Sequence, residues 1–290
     1  MAPVNIAYDF KSIKILPMAA IRVLNMLGSD DLDLAEVSEI VRLDQALSLA
    51  VLREANSAYY GVSGREFNLK EATVRLGTKN LSKIILKQQV GESFQEAVHS
   101  FDLRSGSLWE GALGGAFIAE SLASQHDSES QELAFVCSLL RDIGKLMVES
   151  THGEEYESLI EDQLTSSSSF AEAEQATFGM DHAEIGAMLA IEWGLPSKIA
   201  DAIRFHHAPP SVDSENHSVL FDIVHASDIL CLWGGVAIGS DGLQYRISQP
   251  AFDRLGITRD NAEHEINEMW MKLHQATSLL SNKETERRCA

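Results

Sequence analysis

Cysteine, proline and long apolar runs are scarce in these 290 residues, and each scarcity excludes something. The three cysteines, Cys137, Cys231 and Cys289, are odd in number, scattered and without a CxxC pair. Neither a disulfide framework nor a thiolate zinc site is expected, and a reducing cytoplasm fits. No stretch reaches the roughly 18 uninterrupted apolar residues of a membrane span. The opening MAPVNIAYDFKS lacks a basic start followed by an apolar run, so neither export nor membrane insertion is expected. A chain of this size buries roughly 75% of its unfolded surface, so folding requires no cofactor or structural metal.

Basic charge is also in short supply. Residues 1–100 hold 11 Lys/Arg against 12 Asp/Glu, whereas residues 101–290 hold 12 against 31. A C-terminal part of that sign repels phosphate backbones, which argues against nucleic acid as a partner. One basic feature stands out: Lys79, Lys83 and Lys87 follow at i, i+4 and i+8 on one predicted helix. They read as solvated lysines or as a stripe that docks an acidic partner.

Strand-type alternation is nearly absent, while apolar residues recur three and four apart almost throughout, which predicts an all-α protein. Early helices are expected near 17–28, 33–41, 44–56, 69–76 and 78–97, punctuated by Gly28, Gly61, Gly64 and Gly77. Later ones are expected near 106–125, across ELAFVCSLLRDIGKLM from 132, across HAEIGAMLAIEW from 182 and SKIADAIRFHH from 197, then near 217–233, 250–255 and 259–281. Ser128 and Gln131 have capping-box spacing, Asp181 and Glu184 form a second cap-like pair, SSSS at 166–169 reads as a loop, and NKETERRCA reads as a frayed tail. Gly144 and Gly186 inside helical patterns suggest close helix packing, and Trp109 and Trp193 suggest core. The expected organisation is a helical N-terminal lobe, residues 1–100, packed on a second helical lobe, residues 101–290, with a C-terminal helical extension and a junction near 98–106.

Several motifs occur in order: ILP at 15–17, DQALSLAVLREANSAYYG from Asp44 to Gly61, EATVRLG from Glu71 to Gly77, LLRDIGKL at 139–146, HAEIGAMLAIEWGLP at 182–196 and HH at 206–207. Together, over most of residues 15–230, they resemble the HDOD (HD-related output domain) family, a degenerate branch of the HD phosphohydrolase superfamily. In that superfamily a His, a His-Asp pair and a later Asp hold a divalent ion whose bound water attacks phosphorus. The resemblance implies Asp142, His182, His206, His207 and Asp228 as pocket residues, and helical spacing puts Asp142, His182, His206 and Asp228 on stripes with apolar neighbours.

Two expected ligands are missing. The pair that should be His-Asp is Arg141-Asp142, and no histidine occurs between His99 and His126, where the first ligand's helix is expected. An arginine has five donors and no lone pair, so Arg141 cannot ligate metal but can stand in for its charge between Asp142 and Asp228. Adjacent helix positions point about 100° apart, which sets this side chain at an awkward angle. The inward histidines also fit ordinary core hydrogen bonding, and His225 reads as structural or as a nonstandard ligand. Asn56 and Ser57 are expected to brace a helix end.

The expected function is therefore non-catalytic: a signalling module acting through protein contacts, with no catalytic residue, metal or cofactor, and a relic pocket suited to a small anion or nucleotide. The resemblance implies signalling partners, such as a kinase, a cyclic-dinucleotide enzyme or a response regulator, with a second copy of the chain as another candidate. The alternative is a metal-dependent phosphohydrolase or cyclic-nucleotide phosphodiesterase built on Asp142, His182, His206, His207 and Asp228.

Overall fold

Apolar residues three and four apart form helices over most of the described residues. The computed structural model describes residues 34–42, 45–57, 67–89, 98–152, 156, 168–239, 241 and 244–288. The helix expected at 17–28 lies outside them. Among the described residues there is no strand, only an isolated bridge between Val98 and Leu103, and no helix is long and apolar enough to cross a membrane.

The N-terminal lobe is built from α1 (Leu34–Arg42), α2 (Gln45–Ala55) and α3 (Leu69–Gln89). Val37, Val41, Val51, Ala72 and Leu81 close its small apolar core. Asn56 ends α2 as a brace: its Nδ2 donates to Leu52 O at 2.9 Å and its Oδ1 accepts from the Phe67 amide at 2.7 Å, tying the helix end to the segment entering α3. Asn68 and Glu71 cap α3 reciprocally, at 2.9 and 3.2 Å. The two helices expected on either side of Gly77 meet at a kink within α3, where Gly77 leaves helical geometry at φ 70 and ψ 171.

The second lobe wraps α4 (Ser107–His126), against which α5 (Gln131–Leu140), α10 (Val219–Trp233) and α12 (Arg259–Arg288) pack. Between them run α6 (Gly144–His152), α7 (Phe170–Phe178), α8 (His182–Glu192) and α9 (Ser197–Arg204), with the short α11 (Gln249–Arg254) before α12. Val98 and Phe101 already belong to this larger core, and Trp109 and Trp193 are buried in it.

Four local expectations change. The helix expected through ELAFVCSLLRDIGKLM breaks into α5 and α6 at a turn over 141–143, held by the Ile143 amide to Leu140 O and the Lys145 amide to Asp142 O, both 3.0 Å. Ser128 lies in a one-turn 3-10 helix and does not cap α5; Ser130 precedes α5 with φ −94 and ψ 9, not the extended geometry that aims a capping side chain. Ser169 closes the SSSS run as the N-cap of the unanticipated α7, in a full capping box with Glu172. The C-terminal helix runs to Arg288, beyond the expected end at 281. Asp181 does cap α8, accepting from the Glu184 amide at 2.8 Å.

The crossing of α6 and α8 sets the position of the site. A Cβ on Gly144 would stand 1.9 Å from His182 O and 2.7 Å from Gly186 N, so only glycine lets these helix starts touch backbone to backbone. That contact brings the 141–145 turn against His182.

Candidate functional site

The break after α5 aims both Arg141 and Asp142 inward, which a continuous helix would not do. Arg141 Nε donates to Asp228 Oδ1 of α10 at 2.7 Å and stands 3.1 Å from Asp142 Oδ2. The rest of the guanidinium is satisfied by backbone: Nη1 donates to Ser138 O at 2.8 Å, and both Nη atoms reach Gly111 O at 3.3 Å. Gly115 leaves room for it, since a Cβ there would lie 2.5 Å from Nη1.

A second cation, which sequence reasoning missed, completes the cluster. Lys145 Nζ lies 2.9 Å from Asp142 Oδ1 and 2.7 Å from Asp241 Oδ2. Tyr245 donates to the same Asp241 oxygen at 2.7 Å. All five charged residues are at most 6% exposed, so their charges are worth far more to one another than at the surface. Burial alone would raise the Asp142 pKa, but Lys145 and then Arg141 hold this carboxyl well below the usual range. Burial opposes the charge on Lys145, yet Asp142 and Asp241 raise its pKa.

The histidines form the adjoining wall. His182 Nδ1 donates to Glu174 Oε2 of α7 at 2.7 Å, and Glu174 also accepts from the Tyr156 hydroxyl. Burial disfavours the imidazolium, but the Glu174 charge and hydrogen bond raise the His182 pKa. His182 Nε2 shares a hydrogen with His207 Nε2 at 2.9 Å and lies 3.7 Å from Asp142 Oδ1. His206 Nδ1 donates to Ile203 O at 2.6 Å, leaving a buried Nε2 with no partner. Desolvation pushes the His206 pKa down to about 4 and that of His207 well below its ordinary value. His225 donates through Nδ1 to His206 O at 2.7 Å and accepts at Nε2 from the Ser248 amide at 2.9 Å. Both ring nitrogens are engaged, so it is a brace between segments.

The six sequence-chosen pocket residues are thus neighbours, whereas the lysine stripe is not uniform. Lys83 is turned toward the second lobe, with Nζ 3.5 Å from Glu120 Oε1 of α4 and 4.6 Å from the Phe135 ring centroid. Lys79 and Lys87 lie on α3, but their side chains are outside the described residues. Lys145, Asp241, Glu174, Tyr156 and Tyr245 were not anticipated. The spacing of Asp142 and Lys145, three apart, was a local signal for one of them.

The superfamily's hydrolytic cation fits poorly here. Its place between the two carboxylates is held by Arg141 Nε, and the other Asp142 oxygen is taken by Lys145. A divalent ion would sit against two buried, fixed positive charges. The remaining donor set is His182, His206 and His207, whose ring nitrogens lie within 4.8 Å of one another. Neutral imidazoles suit zinc or copper better than magnesium. Yet the 2.9 Å between the His182 and His207 nitrogens is a hydrogen bond, shorter than the roughly 3.3 Å separating two ligands of a tetrahedral zinc ion.

Comparison with known proteins supplies the family. The HDOD domain model matches residues 13–209. A curated relative, an uncharacterized protein of Treponema pallidum (strain Nichols), is 26% identical over 224 residues, spanning 77% of this chain but only 43% of that protein. An HDOD domain protein of unknown function from Geobacter sulfurreducens superposes with TM-score 0.68 at 22% identity, over 91% of this chain and 92% of that one. A protein of Marinobacter aquaeolei VT8, provisionally described as a signal transduction protein, gives 0.69 at 21%, over 92% and 59%. One from Shewanella amazonensis SB2B, provisionally described as a phosphohydrolase, gives 0.59 at 22%, over 90% and 96%. At these identities the solved structures show the shared all-helical fold. With the family match spanning more than half of its length, the chain belongs to the HDOD family.

Proposed function

We propose that this chain is a non-catalytic signal-transduction module of the cytoplasm, acting through contacts with signalling proteins such as a kinase, a cyclic-dinucleotide enzyme or a response regulator. The observation that carries this reading is Arg141 Nε at 2.7 and 3.1 Å from the Asp228 and Asp142 carboxylates. A guanidinium keeps its proton and offers no lone pair, so it neutralises the carboxylates without activating water. Pocket chemistry is thereby exchanged for a rigid, ion-paired core that fixes the helices presented outward. The excess of acid in residues 101–290 favours a basic protein surface as partner and disfavours nucleic acid. The buried free thiols Cys137 and Cys231 suit a reducing compartment.

The alternative, a metal-dependent phosphohydrolase, draws on one observation, the three clustered imidazoles with the unpartnered His206 Nε2. A panel of nucleotides and cyclic dinucleotides, assayed with and without manganese, separates the two. The proposal expects no turnover above a buffer blank. Manganese-dependent turnover that disappears in Asp142→Ala would replace it with the hydrolase.

A further inference from the structure

The four tryptophans fall into two pairs: Trp109 and Trp193 are 6% and 4% exposed, whereas Trp233 at the end of α10 and Trp270 on α12 are 48% and 47% exposed. Trp270 Nε1 donates to Gly234 O at 3.0 Å, so the two indoles stand beside the same glycine. Ile266 and Met269 of α12 close against that glycine, where a Cβ would meet their side chains at 3.2 and 2.9 Å. Met271, the next residue on α12, is 52% exposed and widens the apolar patch. All of these residues lie after position 209, where the family match ends.

Neither indole is loose. The bond to Gly234 O fixes the Trp270 ring, and Trp233 packs against Phe252 of α11 with ring centroids 5.7 Å apart. Rings already held in place lose little freedom when a partner covers them, and tryptophan is enriched among the side chains that carry binding energy. Charge sets the patch apart from its surroundings. Residues 101–290 hold 12 Lys/Arg against 31 Asp/Glu, yet residues 229–239 contain no charge at all and residues 266–273 contain one of each sign, Glu268 and Lys272. Two turns before Trp270, Glu263 is already paired with Arg259 at 2.8 Å.

We propose that this patch is where a second copy of the chain docks, in an isologous two-fold contact in which Trp233 and Trp270 of each copy cover those of the other. A basic partner is drawn to the acidic remainder of the surface, not to an uncharged window. Two copies, each with a net charge of −20, repel wherever their acidic faces meet, so the neutral apolar window is the surface on which like can meet like. The same charges give the contact a signature. Salt screens the repulsion between the two bodies, so dimerisation strengthens as ionic strength rises, the opposite of a basic partner docking on acid. The contact goes beyond the non-catalytic reading of the pocket and does not depend on it.

Sedimentation velocity on the full chain, over a range of concentrations at low and high sodium chloride, tests the contact, with circular dichroism to check that each variant folds. The wild type should be a monomer–dimer mixture at micromolar concentration whose dimer fraction rises with salt. Trp233→Glu and Trp270→Glu each place two like charges in a two-fold contact and should weaken dimerisation at least about 30-fold. Acrylamide quenching of wild-type tryptophan fluorescence keeps the test available if neither variant folds. The accessible fraction should fall as protein concentration rises, because Trp233 and Trp270 become covered while Trp109 and Trp193 are already buried. A wild type that stays monomeric at every concentration and salt, a dimer that weakens with salt, or folded variants that dimerise as the wild type does would each overturn the inference. A monomer whose tryptophans are instead shielded by phosphatidylcholine vesicles would assign the patch to a lipid surface and overturn it too.

Discussion

From Leu34 to Gln89 the described buried positions are aliphatic apart from Ser38 and Thr73, whereas from Val98 onward the core encloses Arg141, Asp142, Lys145, Glu174, Asp228 and Asp241 together with His182, His206 and His225. Both lobes are helical, so neither fold class nor helix propensity explains the contrast. An apolar core gains from every residue it buries. Buried charges gain only relative to being left unpaired, and apolar replacements of equal volume are often as stable or more so. The charged core of the second lobe is therefore no device for stability, which accords with the proposed non-catalytic reading of the pocket.

The largest effect expected from breaking that contrast is at Arg141. Arg141→Met leaves Asp228 buried without its partner and should cost about 3–5 kcal/mol in urea unfolding. Adding Asp228→Leu should recover at least half of the loss. A double variant no more stable than the single one would show that the ion pair itself, not the stranded charge, sets the cost.

Glycine substitutions sharpen the comparison next. Gly144→Ala drives a Cβ into His182 O and should cost about 3 kcal/mol. At Gly77 in the first lobe a Cβ would meet nothing within 4 Å, so Gly77→Ala should show only the backbone strain of φ 70 and ψ 171, about 1–3 kcal/mol.

Acid should act on one lobe alone, because all ten histidines lie at position 99 or later. His206, His207 and His225 have folded pKa values below the ordinary 6.5, owing first to desolvation. Between about 6.5 and the His206 value of about 4, the unfolded chain binds more protons, so stability falls as pH falls through that window. His182, shifted upward, contributes in the opposite sense. Urea midpoints measured from pH 7 to 4.5 should decline, and His206→Gln should flatten the decline.

The smallest effect concerns the seam between lobes. Lys83→Met removes a half-buried ion pair with Glu120 and a ring contact, and should cost about 1 kcal/mol or less. A larger loss would mean that the lobes depend on this single cation.

Much of this was legible in the sequence, for identifiable reasons. Helical periodicity marks the apolar stripes, and the same stripes carried Asp142, His182, His206 and Asp228 inward. Arg141 in place of histidine was visible as a change of chemistry at one position. The break at 141–143, which lets Arg141 and Asp142 face the same cavity, was not visible, because apolar spacing continues through LLRDIGKL. Asp241 and Tyr245 lie outside any periodic stretch, and Glu174 comes from a helix that was not anticipated, although Ser169 and Glu172 had the spacing of a capping box. Partners brought together by tertiary packing leave no local trace.

The central claim is that a guanidinium occupies the cation position between Asp142 and Asp228. Elemental analysis of protein purified without chelator or added metal tests it most directly. The account predicts manganese, iron and zinc each far below one ion per chain. An ion at about one per chain, lost on Asp142→Asn, would contradict it.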